Sequence, residues 1–545
     1  MCNHHKDQKA KNKRHGSALE HGQAHTKDHQ MWSRRTFMRN LGIAGSMSMM
    51  LGKLPLTALG ANPLSAALNN TNSDRILVLI RLKGGNDGLN TIIPIFDYGT
   101  YQANRPTIAV PQEQIVNLND EFGIPSYMDA LQDLWLDGQM KVVNNVGYPA
   151  QNLSHFRSSD IWASASDADV MDSSGWLGRY LDNEFPDFIT DPPEMPPAIQ
   201  IGGSGNLLFN NDEMVNMGVI VNDPDELFQI AQTGELYDAS DVPDCYYGEQ
   251  LGFMRTVANS TFKYAEVIAE AYNNSTNAAE YEFTLGEQLA LVARLIKGGL
   301  QTKLYMVSLD GFDTHAVQQE SHPFLLFQVA NAVKAFYEDL GTGGVAHRVL
   351  SMTFSEFGRR IEQNASGGTD HGAAAPMMLF GQGLNGNGFV GPNPDLHNLD
   401  QIGNLQHTTD FREVYTTLLE HWLCLDGFVV DDIMGQPFDR MPELGLDCMA
   451  TSTSRPQPEA AIKHQAMYGT GQIIIEYTIP ESMPITIQVY NMLGQPVATL
   501  FDGYQMQGTH RVTFQSGNSR LSGGHYVYSI KAGRQVYSQK IQVVR

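Results

Sequence analysis

The order of patterns along this 545-residue chain predicts an α/β domain, with a mostly parallel sheet covered by helices, followed by a small C-terminal all-β sandwich. Three observations carry that expectation. Apolar runs with little alternation recur at 75–82, 141–146, 304–309, 348–354 and 376–380, the texture of strands buried on both faces. Between them, at 125–136, 249–273, 284–297 and 323–340, apolar residues return at helical spacing. After residue 472 the texture changes to short alternating strands separated by turn residues.

Composition narrows the class. At 42% hydrophobic and 17% charged residues the chain can bury a large core. A net charge of −23 argues against a nucleic-acid partner, because phosphate backbones need a basic surface. Four cysteines provide no disulfide framework; Cys424 and Cys448 can pair in an oxidising compartment, leaving Cys245 unpaired. No P-loop is present. Residues 201–205 lack the glycine spacing and following helix of a dinucleotide fingerprint.

The two ends carry addresses. Residues 1–30 are polar and include six histidines, which reads as a solvated leader. Ser33, Arg34, Arg35, Thr36, Phe37 and Met38 then precede a weakly apolar run from Leu41 to Leu59. This resembles a twin-arginine export signal, with cleavage expected near Ala61 or Ala67. Gly42, Gly45, Gly52, Lys53 and Pro55 interrupt the run, so no retained membrane span is expected. At the other end a Ser/Thr/Pro-rich linker, 451–468, leads to 469–545. There the stretches 491–497 and 521–526 and the terminal Arg545 resemble the C-terminal sorting domain of type IX secretion cargo. Those resemblances imply a secreted or cell-surface protein, exported through the periplasm by the twin-arginine and type IX machineries.

Between signal (1–61) and linker, residues 62–450 hold the chemistry. The first strand opens into a glycine turn, 83–90, that leaves Asp87 at its carboxyl end. A helix starts after Asn152 with Ser154 at its N-cap, where the dipole favours an anion or a developing oxyanion. The strand at 304–309 ends in Asp310, Asp313 and His315. The strand at 348–354 leads past Glu356 to a glycine-rich loop, 367–372, carrying Asp370 and His371. His407 precedes a helix capped by Thr408, Thr409 and Asp410.

Singly, an Asp-His pair is ordinary turn chemistry, with the Asp accepting local N–H groups and the His at the surface. Two such sets at strand ends, where open α/β sheets place ligands, favour a divalent ion such as zinc or manganese.

Six stretches occur in one order: 84–90, 154–160, 310–315, 355–359, 368–372 and 409–412. By these, residues 75–445 resemble the domain of unknown function 1501 family, itself similar to the alkaline phosphatase and sulfatase superfamily. The resemblance implies an alkaline phosphatase-like fold with two divalent metal ions (zinc, manganese or calcium). Asp87, Asp370 and His371 would hold one ion. Asp310 or Asp313, with His315 and His407, would hold the other, and Ser154 takes the nucleophile position. Phe156 stands where a formylglycine sulfatase has proline, which disfavours that chemistry. The expected function is a secreted metal-dependent hydrolase of phosphate or sulfate esters, acting on a small-molecule or polymer ester. The alternative is a non-catalytic surface or binding protein that keeps the fold.

Overall fold

A computed structural model describes residues 73–188, 192–203, 207–221, 246–448, 463–469, 472–479, 482–491, 496–515, 524–532 and 535–543. The export signal, Cys2, Cys245, the linker residues 451–462 and parts of the two sorting motifs lie outside them. The described residues divide into two units: 75–178 with 187–411, and 73–74 and 179–186 with those from 412 onward.

The first unit is built on one sheet. Its strands are β1 (Ile76–Lys83), β2 (Met140–Gly147), β3 (Ala198–Ile201), β4 (Gly218–Val221), β5 (Leu304–Asp310) and β6 (Val349–Phe354). A hairpin of β7 (Gly358–Gln363) and β8 (Thr369–Gly372) stands apart; β9 (Ala375–Phe380), β10 (Gly388–Val390) and the short β11 (Thr409–Asp410) return to the sheet. The order is β10-β2-β9-β6-β1-β5-β3-β4, with β11 against the end of β2. Every pairing is parallel except those of β9, which runs against both β2 and β6. The mostly parallel sheet expected from the unalternating runs is therefore present. In β1, Ile76, Leu77, Val78, Leu79 and Ile80 are all buried, so both faces are covered.

Helices α1 (His155–Ser164), α2 (Tyr246–Asn273), α3 (Phe283–Lys297) and α4 (Gln318–Thr342) supply much of that cover. Leu289, Val292 and Leu295 of α3 and Leu326, Val329, Val333 and Phe336 of α4 join the core formed by Ile76, Val78 and Ile80. Three local expectations change. The stretch 125–136 is a 3₁₀ turn, Ser126–Leu131, followed by one short α-helix, Gln132–Leu136. Helix α4 starts five residues before Pro323, which sits inside it. The glycine-rich loop carrying Asp370 and His371 is strand β8. There Arg359 pairs with His371, and Gly372 lies so close to β7 that a Cβ would meet the Arg359 carbonyl carbon at 2.4 Å.

In the second unit, Cys424 and Cys448 form a disulfide, with Cα atoms 5.6 Å apart. The C-terminal strands are β12 (Lys463–Gly469), β13 (Gln472–Ile479), β14 (Met483–Asn491), β15 (Pro496–Gln505), β16 (Gly508–Gln515), β17 (Gly524–Ala532) and β18 (Gln535–Val543). They make two antiparallel sheets, β12-β13-β16 and β15-β14-β17-β18. Ile473, Ile475, Ile485, Ile487, Tyr528 and Ile530 share one core, as a sandwich requires. Strand β12 falls within the stretch read as linker; it pairs with β13 along its whole length. Among the described residues no helix is long and apolar enough to cross a membrane.

One buried ion pair locks the helical layer. Asp339 of α4 is fully buried and accepts from Lys297 Nζ, from Asn277 Nδ2 and Ala278 N at 2.8 Å each, and from Tyr281 Oη at 3.0 Å. The 273–282 connection is thereby clasped between α3 and α4. Lys297→Met would strand that carboxylate, and we expect a loss of about 3–5 kcal/mol. A urea-unfolding midpoint unchanged from wild type would refute this role.

Candidate metal centre

The carboxyl ends of β1, β2, β5 and β6 share one edge of the sheet, and β9 begins there because it runs the opposite way. The loops leaving that edge therefore converge, as open α/β sheets require. Two glycines let them touch. Gly84 adopts φ +124°, with an imagined Cβ only 2.3 Å from the Asp313 nitrogen. Gly368 lies against the carbonyls of Thr314 and His315, where a Cβ would come within 2.4 Å. Backbone bonds complete the contact: Thr369 N donates to Thr314 O at 3.1 Å, and Gln318 N to Gly367 O at 2.9 Å.

Three imidazoles gather around Asp313. His315 Nε2 lies 3.2 Å and His371 Nε2 3.3 Å from Asp313 Oδ1, while His155 Nε2 lies 3.5 Å from Oδ2. The two Nε2 atoms of His315 and His371 are 2.8 Å apart. Donor atoms of His155, Asp313 and His371 all fall within 4.8 Å of one another.

Behind each ring its Nδ1 faces an oxygen. His371 Nδ1 donates to the Leu153 carbonyl at 2.8 Å, His155 Nδ1 meets Glu356 Oε1 at 3.1 Å, and His315 Nδ1 meets Asp370 Oδ1 at 3.3 Å. A carbonyl only accepts, so the His371 proton sits on Nδ1 and its Nε2 keeps a lone pair. The same outer-oxygen arrangement orients metal-bound histidines generally.

The donor chemistry fits a divalent ion. Donors on neighbouring corners of a tetrahedral zinc site are roughly 3.3 Å apart, given bonds of about 2.0–2.1 Å. The separations of 3.2 and 3.3 Å from Asp313 Oδ1 match that edge, while the 2.8 Å between the His315 and His371 Nε2 atoms is shorter than it and His155 faces the other oxygen, Oδ2. Side chains of Asp313 and His315 remain 48% and 45% exposed, so the cluster is open to solvent on one side.

Electrostatics favour ionised carboxylates. Burial works against the charge of Asp313, but the Arg359 guanidinium at 2.7 Å outweighs it and holds the carboxyl below the usual range. Asp370 is lowered by the Asn364 amide, 3.1 Å away, and by His315. Burial pushes the His371 imidazole down, helped by the nearby Arg359 charge.

The residues expected at the two metal positions are redistributed. Asp313, His315 and His371 meet in one cluster, and Asp370 stands behind His315 rather than beside His371. Asp87 is not brought to it. Fully buried, it pairs with Arg105 at 2.6 Å and accepts from Gln318. Burial raises its pKa, yet Arg105 prevails and leaves it below the ordinary range. Asp310, 69% exposed, pairs with Lys83 at 2.9 Å, so Asp313 takes the place left open between the two. His407 lies beside Gly147 at the end of β2, outside the gathered group.

Ser154 is the exposed N-cap of α1, and its side chain makes no capping bond. Its two chain neighbours both touch the cluster, through the Leu153 carbonyl and the His155 ring. Sequence reasoning missed His155, Glu356 and Arg359 as site residues. The available signal was that both of their stretches, 154–160 and 355–359, follow strands ending at the same edge.

An α/β protein with a histidine–carboxylate cluster at the carboxyl edge of its sheet is the class these features define. Residues 247–434 match the protein family of unknown function 1501, and residues 469–544 match the secretion system C-terminal sorting domain. The middle of the chain is thus similar to this family, and the C-terminal match to a sorting domain indicates secretion or the cell surface. No curated protein matches it.

Solved structures that it resembles include an alkaline phosphatase superfamily protein from Vibrio parahaemolyticus. That likeness has 8% identity and TM-score 0.28, covering 83% of this chain and 85% of the other. A sulfatase from Pseudoalteromonas matches at 10% identity and TM-score 0.30, covering 83% and 86%. An alkaline phosphatase from the Antarctic bacterium TAB5 matches at 6% identity and TM-score 0.24, covering 58% and 94%.

Beneath the cluster, His322 is fully buried, with Nε2 3.0 Å from Asn86 Oδ1. Burial lowers its pKa to about 4, against the partial opposition of Asp87. The unfolded chain, with an ordinary histidine near 6.5, binds more protons in that interval. Stability is thus complete above pH 6.5 and falls as pH drops towards 4, by roughly 3 kcal/mol at most. His322→Gln should flatten this window in urea midpoints taken at pH 7.5 and 5; an equal loss in both proteins would contradict the assignment.

Proposed function

We propose that this chain is a secreted, metal-dependent hydrolase of phosphate or sulfate esters. The observation that carries the reading is the three Nε2 atoms turned towards Asp313, each ring with an oxygen at its Nδ1. His155, Asp313, His315 and His371 would hold the metal. Its nitrogen-rich donor set suits zinc better than manganese or calcium, which prefer oxygen. When bound, such an ion stabilises negative charge on an ester oxygen and lowers the pKa of an attacking hydroxyl.

The chain's own groups supply the rest. Ser154 stands at the start of a ten-residue helix, and its hydroxyl is not engaged in capping the first turn. The amides of that turn point out of the helix N-terminus, a setting that attracts anionic ester oxygens. Ser154 is the nucleophile in this reading. Arg359, held by backbone carbonyls, keeps Asp313 ionised and oriented. Glu356 and Asp370 keep the outer nitrogens of His155 and His315 engaged, so that their inner nitrogens face the open side.

Elemental analysis of the purified full chain tests the centre directly. Wild type should hold metal, and His371→Ala and His315→Ala should each lose most of it while circular dichroism stays unchanged; full retention in both would refute the site. Ser154→Ala should keep its metal and lose at least a hundredfold in kcat on 4-nitrophenyl phosphate. Undiminished turnover would remove Ser154 from the chemistry, and a metal-loaded wild type inert towards phosphate and sulfate esters would favour the binding-protein alternative.

A further inference from the structure

Two of the cluster's imidazoles rest on an aromatic ring that has no metal-binding atom. Phe357 is buried and directly follows Glu356, whose Oε1 meets His155 Nδ1. Its ring centre lies 4.3 Å from that of His371, with the planes tilted by 34°, and 4.9 Å from that of His155, tilted by 48°. The His155 and His371 rings stand edge to face, 4.5 Å apart.

Gly85 makes room for the phenyl ring. It adopts φ +85°, and a Cβ there would lie 2.3 Å from Phe357 Cε2 and 2.5 Å from Cδ2. Arg359 Nε holds Gly85 in place through its carbonyl, at 2.7 Å. On the other side of Phe357 in the chain, Gly358 packs just before β9, where a Cβ would come within 2.1 Å of the Ala374 carbonyl oxygen. Gly358 pairs with Gly372, and the next pair sets Arg359 against His371. The register that places His371 therefore places the Phe357 ring as well.

A hydrogen bond aims one nitrogen of an imidazole but leaves the ring free to turn about that bond. His371 has Nδ1 aimed at the Leu153 carbonyl, and His155 has Nδ1 facing Glu356. An aromatic ring against each of them removes that freedom, because ring pairs favour particular tilts and offsets. It also keeps water off the side it covers, and the apolar shell around a metal centre tunes the ion it surrounds.

Resting on the metal-centre reading above, we propose that Phe357 is a positioning residue of that centre. Its ring fixes the planes of His155 and His371, so that their Nε2 atoms meet Asp313 around one cation.

Zinc titration of the full chain, stripped of metal and competed against a chromophoric chelator, tests the inference, with the visible spectrum of the cobalt(II)-loaded protein as a second readout. Phe357→Leu and Phe357→Met fill the space without a flat face. Each should bind zinc roughly tenfold or more weakly than wild type, with weakened and shifted cobalt bands. Phe336→Leu, a cut of similar size in the core towards the far end of α4, should match wild type in both readouts. Wild-type affinity and spectrum in both Phe357 variants, an equal loss in Phe336→Leu, or no zinc binding by wild type would overturn the proposal. Failure of the hydrolase reading alone shows differently: the zinc and cobalt differences are present, yet wild type turns over neither phosphate nor sulfate esters.

Discussion

A single buried guanidinium ties the site to the sheet. Arg359, 1% exposed, donates from Nε to Gly85 O at 2.7 Å and from Nη1 to Thr369 O at 2.8 Å. Its Nη2 meets Gly84 O at 2.6 Å, Phe312 O at 3.1 Å and Asp313 Oδ1 at 2.7 Å. A charge this deeply buried is costly unless its fork of donors is filled. Filling it requires the turn after β1, the turn after β5 and the start of β8 to meet at one point. Those same segments bring Asp313, His315 and His371 together. Folding of the edge and assembly of the cluster are therefore one event.

Much of the fold was legible because burial on both faces leaves a plain trace. The runs in β1, β5 and β6 have no alternation, and their parallel pairing follows from that. Asp313, His315, Asp370 and His371 were legible for a related reason: in such a sheet, polar residues just after an apolar run reach the ligand-binding edge. What sequence could not show was partnership. Nothing in the turn at 83–90 announces that Asp87 will be neutralised by Arg105, eighteen residues on. His155 reads as an ordinary helix-start residue until Glu356, two hundred residues away, fixes its ring. The β7–β8 hairpin was hidden by its glycines, which read as loop but serve to admit a second backbone at close range.

The division of labour between the two oxygens of Asp313 has a consequence for how the centre is poised. Oδ1 is shared by Arg359, His315 and His371, while Oδ2 faces His155. With Arg359 beside it, the carboxylate is already partly neutralised before any cation arrives. In the proposed metal site a dication would compete with that guanidinium for Oδ1, and its hold would come mainly from the imidazoles. Such a centre is biased against hard, oxygen-seeking ions and towards those that bind nitrogen well.

Polarity changes sharply within two residues of the cluster histidines. Inside, carboxylates and imidazoles are fixed by Arg359, Glu356 and Asn364; outside, Phe156 and Val317 stand in solvent. Water solvates the inner groups well and the outer ones poorly. The strained Val317 backbone, at φ +49°, keeps this boundary narrow, since it pins an apolar residue two positions from His315. The strain at Val317 is tolerated because the close packing of Gly368 on His315, which assembles the cluster, also fixes the chain on either side of it.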